Sequence, residues 1–215
     1  AYFGMDFRKD YSKPGVAPYQ PSVGLWANKF ILLISGSKAF SYAGERIAVM
    51  AISPELFNYE SDTLQKYFGQ KSFGRAMIFG SLYALTSGTA HSPQYALTAI
   101  FKACNDGTFN FREDLMDYQR KSSIMKRAFT DNGFNIVYDK DLDVDIADGF
   151  YFTFGYPGMT GVQMLDELVY YGISAISLDI TGSSRNEGAR ACVSLVPHEM
   201  LPELGERLKV FHKDH

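Results

Sequence analysis

Ser35-Gly36-Ser37-Lys38 and Arg46 place two hydroxyls, an amine and a guanidinium within twelve consecutive residues. Hydroxyls, backbone N–H groups and the planar fork of an arginine suit a phosphate group. A lysine at the mouth of a sheet acts as a nucleophile once it has lost its proton. The elements that must position these groups are legible on either side. The apolar runs 30–34 and 47–52 read as buried strands, over residues 30–35 and 47–52, flanking a short polar loop with glycines. Taken alone, Arg46 also fits a surface arginine with its stem on the sheet, and the serines fit ordinary turn residues.

The stretch resembles the cofactor-lysine segment of fold-type I pyridoxal-phosphate enzymes, specifically the class I/II aminotransferases. Their pattern is an apolar strand, then Ser-x-Ser/Ala-Lys, then Gly-x-Arg with the arginine eight residues after the lysine. Ser35, Ser37, Lys38, Gly44 and Arg46 fall on it. Ala1-Tyr2-Phe3-Gly4 resembles the family's strand-end Asp-x-x-Tyr, with Tyr2 as its tyrosine. Arg190-Ala191-Cys192-Val193-Ser194 resembles the arginine-initiated strand near the family's C-terminus. Ser92-Pro93-Gln94 opening a helix, and a long helix ending at Gly133, keep the family order.

The resemblance implies pyridoxal 5′-phosphate as cofactor, with Lys38 as the catalytic, cofactor-bearing amine. Arg46 clamps the phosphate with Ser35 and Ser37 as hydroxyl donors, Gly44 admits close backbone approach, and Tyr2 donates to the cofactor's phenolic oxygen. Arg190 takes the substrate's α-carboxylate; the competing partner is a structural acid such as Glu187. The implied reaction is transfer of an amino group between an amino acid and a 2-oxo acid, in a homodimer. Lyases and decarboxylases of the same fold share these residues. Residues 86–94 resemble the loop that reaches a neighbouring subunit's active site. Residues 83–87 hold no arginine, which argues against a dicarboxylate substrate; His91 reads as a polar loop residue. Family members are about twice this length, and their aspartate for the pyridine nitrogen lies three residues before the tyrosine. The chain is therefore expected to be a C-terminal half, inactive alone. Ser35-Gly36-Ser37-Lys38 also reads Ser-x-x-Lys, the motif of acyl-enzyme hydrolases such as penicillin-binding proteins; their Lys-Thr-Gly does not occur here.

Composition narrows the field further. A formal charge of −3 offers no basic face for nucleic acid. No apolar run approaches a membrane span. The hydrophobic share of 46% supports a sizeable core. Cys104 and Cys192 are expected to be buried free thiols, in keeping with a reducing cytoplasm, and no metal site is expected.

The expected fold is α/β: the C-terminal part of a large cofactor-binding domain, with a partial, mostly parallel sheet, then a small α/β domain. The boundary falls near Asn135, giving residues 1–134 with the long bridging helix and residues 135–215. In the second part, residues 150–154, 173–178 and 191–196 read as strands. Residues 160–171 read as a helix stopped by Gly172, and a last helix carries Leu201, Leu204, Leu208 and Phe211 on one face.

Overall fold

The computed structural model describes residues 4–7, 9–11, 13–146 and 149–215. They group into two compact units. One holds the described residues among 1–4 and 9–111; the other holds those among 5–8 and 112–215.

The first unit is built on a hairpin. Strands β1 (Ile31–Ser35) and β2 (Ala48–Ile52) run antiparallel, with Ile31 opposite Ile52 and Ser35 opposite Ala48. Helix α1 (Gly36–Ala39) follows β1 at once. At the far end of the hairpin the buried Ser53 Oγ accepts from Phe30 N at 3.1 Å, and Ser53 N donates to Phe30 O at 3.0 Å. Ser53 also caps α2 (Pro54–Phe57), where proline suits the first turn. Helices α3 (Asp62–Phe68), α4 (Phe73–Arg75), a π-helical segment Ala76–Tyr83, α5 (Ala84–Thr86) and α6 (His91–Asn105) complete the unit. Pro93 and Leu97 are the buried residues of α6, and the Phe40 ring packs 5.6 Å from Phe101 and 5.5 Å from Phe111.

The second unit begins on α7 (Phe111–Thr130), and the turn that follows it reaches Gly133, where φ is +83° and favours glycine. Strands β3 (Asn135–Ile136), β4 (Lys140–Asp141), β5 (Val144–Asp145) and β6 (Tyr151–Gly155) follow. Next come α8 (Gly161–Tyr170), β7 (Ile176–Ser177), β8 (Gly188–Cys192) and α9 (Leu201–Asp214). Thr160 and Gln163 form a capping box at the start of α8. The four-stranded sheet has the order β3-β6-β8-β7. Met125 and Phe129 of α7, Phe152 and Phe154 of β6, Met164 and Leu168 of α8, and Leu208 and Phe211 of α9 share one core.

The structure changes several details of the expected strands. Every described strand pair is antiparallel, not mostly parallel. The reason in the first unit is local: residues 36–47 turn at the strand end instead of crossing back along the sheet, as a parallel pair requires. By its contacts the long helix groups with the second unit from residue 112 onward, because Met125 and Phe129 belong to that unit's core. The last strand starts at Gly188, three residues before the expected 191. Ala189 and Ala191 then face the core and Cys192 is exposed, contrary to the expected buried thiol. The expected strand at 173–178 is reduced to two residues. Among the described residues no helix is long and apolar enough to cross a membrane, and no cluster suits a metal.

Phe211 is fully buried against Phe134, Tyr156 and Tyr171 at ring distances of 5.3, 5.1 and 5.2 Å. Phe211→Ala is expected to lower unfolding stability by about 3–5 kcal/mol. Leu195→Ala, at a residue 92% exposed, should stay within about 0.5 kcal/mol. Urea titrations of both variants check this. Asp117 on α7 lies 2.6 Å from His198 Nε2 and 3.1 Å from Lys121 Nζ. The hydrogen bond with His198, then that with Lys121, holds its carboxyl below the ordinary 3.8. A carboxyl lowered in the folded state stabilises above its unfolded value and loses that contribution as pH falls through the folded one. The stability gap between the natural chain and Asp117→Asn should therefore be full near neutrality and close below pH 3.8, as denaturation midpoints across pH 7 to 3 will read.

Candidate functional site

The candidate site is the end of the hairpin where β1 passes into α1. Ser35 is still extended, at ψ 133°, and its Oγ accepts from Ser37 N at 3.2 Å. That bond caps the helix that carries Lys38. Gly36 N donates to Ile47 O at 3.1 Å, and Gly36 O accepts from Tyr42 N at 3.1 Å. A Cβ on Gly36 would lie 3.2 Å from Ile47 Cγ2 and 3.3 Å from Ile47 O, a tight fit that glycine avoids. At Gly44 nothing of the protein lies within 4 Å of a Cβ, so space is open beside that backbone. The signal for Gly36 was its place between two serines at a strand end.

Buried Ala39 and Ile47 anchor this turn, while Ser35, Ser37 and Lys38 are half-buried. Arg46 is exposed and left-handed, with φ 51° and ψ 46°, a conformation uncommon outside glycine. Its Nη1 donates to Ala43 O at 2.7 Å, which ties the guanidinium to its own loop. Since Ser35 pairs with Ala48, Lys38 lies three residues beyond one strand end and Arg46 two residues before the other. Ser35, Ser37, Lys38 and Arg46 therefore converge at one end of the hairpin. This donor set fits a phosphate beside an amine: a forked cation, two hydroxyls and an ammonium, without a carboxylate among the four.

Arg190 belongs to the second unit. It is the third residue of β8, not its first, and stands opposite Thr153 and Ile176. It is half-buried, with its guanidinium carbon 4.3 Å from the centre of the Tyr151 ring. Glu187, the structural acid considered for it, pairs instead with Arg185. The Glu187 carboxyl is held below its ordinary value by its own backbone N–H and by Arg185. No carboxylate among the described residues pairs with Arg190. Tyr2 lies outside the described residues. His91 opens α6 and is exposed; Ala90, not Ser92, holds the N-cap position. The Cys104 thiol is pushed up mainly by burial.

No protein-family model and no curated protein sequence matches the chain. Solved structures do. An aminotransferase from Mycobacterium tuberculosis superposes with a TM-score of 0.72 at 14% identity, over 100% of this chain and 48% of that one. An aromatic aminotransferase from Pyrococcus horikoshii gives 0.67 at 15%, over 100% and 49%. L-threonine-O-3-phosphate decarboxylase from Porphyromonas gingivalis gives 0.62 at 11%, over 99% and 54%. The chain spans about half the length of the solved chains it matches. The fold of the chain is thus that of about half of each of these solved aminotransferases.

Proposed function

We propose that the chain carries one half of a pyridoxal-phosphate-dependent aminotransferase, which moves an amino group between an amino acid and a 2-oxo acid. The observation that carries this reading is the convergence of Ser35, Ser37, Lys38 and Arg46 at one hairpin end. Arg46 and the two hydroxyls hold the phosphate. Lys38 bears the cofactor and, when free, takes the proton from the substrate's α-carbon and returns it. Bound there, pyridoxal phosphate supplies the electron sink that stabilises negative charge at that carbon. Arg190 binds the substrate's α-carboxylate through two parallel N–H donors. Tyr2 donates to the cofactor's phenolic oxygen in the same reading. The domain roles follow: residues 1–134 belong to the large cofactor domain and 135–215 to the small one, with α7 as the bridge.

A homodimer accords with the exposed apolar side chains of Phe79, Tyr83, Leu85 and Tyr95, which are 50, 63, 83 and 76% exposed in the first unit. The two free thiols accord with a cytoplasmic setting. Decarboxylation is the second reading, favoured by the likeness to the solved threonine-phosphate decarboxylase. Both reactions use the same lysine.

Mixing the chain with pyridoxal phosphate, reducing with borohydride and mapping peptides should place the label on Lys38. A label concentrated on another lysine refutes the assignment. Arg46→Ala should weaken cofactor retention by about 1.5–3 kcal/mol, the range for a hydrogen bond to a charged group. The 215 residues alone, holding about half of the matched fold, should show no sustained transamination across an amino-acid and 2-oxo-acid panel. Turnover at an ordinary enzymatic rate would mean that these residues hold a complete site.

A further inference from the structure

We infer that Tyr151 is a positioning residue for Arg190: its ring fixes the plane of the guanidinium that meets a carboxylate. The inference rests on the carboxylate-binding role proposed for Arg190.

Strand alternation separates two faces of the sheet. Phe152, Phe154, Ala189 and Ala191 turn into the core and are 5, 0, 0 and 6% exposed. Tyr151, Thr153, Arg190 and Cys192 therefore share the opposite face. In the register Tyr151 stands opposite Cys192 and Thr153 opposite Arg190. Tyr151 and Arg190 are thus diagonal neighbours, a separation that a tyrosine and an arginine span with their side chains. They do so here, at 4.3 Å from guanidinium carbon to ring centre, well inside the reach of a cation–π contact.

Among the other side chains near Arg190, Ile176 opposite it is apolar, and the polar ones are otherwise occupied. Thr153 Oγ1 accepts from Tyr138 N at 2.9 Å. The Cys192 thiol lies 3.2 Å from the Ser194 hydroxyl. Glu187 is held by Arg185. The ring is what orients the guanidinium. A contact through the π-face leaves the in-plane N–H edge available, and that edge is what a bidentate carboxylate needs. Holding a long, rotamer-rich side chain before the ligand arrives lowers the entropy lost on binding.

The experiment uses the 215-residue chain, labelled with nitrogen-15, and sodium acetate as the probe. The Arg190 Nε–H signal should lie upfield from the ring current and move on acetate titration. Tyr151→Phe should keep both features. Tyr151→Leu should return the signal to an ordinary position and weaken acetate binding about two- to fivefold. Amide spectra of the variants verify that the sheet is intact. If Tyr151→Leu does not fold, Tyr151→Trp takes its place, and the stronger ring should tighten acetate binding. Acetate affinity unchanged by loss or strengthening of the ring overturns the positioning role alone. An Arg190 signal indifferent to acetate in the natural chain overturns the carboxylate role as well, so the two failures are distinguishable.

Discussion

The hydrogen bond from Gly36 N to Ile47 O is the constraint on which the candidate site depends. It closes the loop between β1 and β2 one residue beyond the strand ladder. With the bond from Tyr42 N to Gly36 O, it makes the turn a fixed object. Ser35 can then cap α1, and α1 can hold Lys38 half-buried. On the other side of the same bond, Ile47 is buried and its neighbour Arg46 is forced outward. A side chain at residue 36 would crowd Ile47, which would have to shift by a few tenths of an ångström to admit it.

The second unit solves a different problem with the same material. Its core is aromatic, and Phe129, Phe134, Phe154 and Phe211 make successive ring contacts, as with Phe129 4.3 Å from Phe154. Such a core needs close packing to hold its rings at edge and tilted angles. That rigidity keeps β6 and β8 in register. The register in turn brings a tyrosine and an arginine together on the outer face. The proposed recognition falls to the outer face because the inner one is full.

Much of the candidate site was legible because its signals are local. The strands at 30–35 and 47–52 differ from the observed ones by a single residue at their starts. The helices expected to stop at Gly133 and Gly172 end at Thr130 and Tyr170, in turns that those glycines close with positive φ. Pairing direction was not legible, since an apolar run reads the same in a parallel or an antiparallel ladder. The extent of β8 was misjudged because Gly188, Ala189 and Ala191 carry little hydrophobic signal, yet small residues are what the packed sheet accepts there: a Cβ on Gly188 would lie 2.6 Å from Leu178. The contacts of α7 were not legible for a related reason. Its apolar stripe shows which residues are buried and not which core they enter. The contact between Tyr151 and Arg190 depends on strand register, which no single stretch of sequence carries.

Arg46 occupies a backbone conformation that costs a non-glycine residue about 1–2 kcal/mol. Glycine at this position would relieve that cost and remove the charge in one change. With Arg46 in its proposed role, thermal robustness and anion affinity are set against each other at a single residue: the variant that survives heat better should be the one that lets the phosphate go. A library sorted for stability alone would erode this corner of the hairpin first, while the aromatic core of the second unit would pass such a screen untouched.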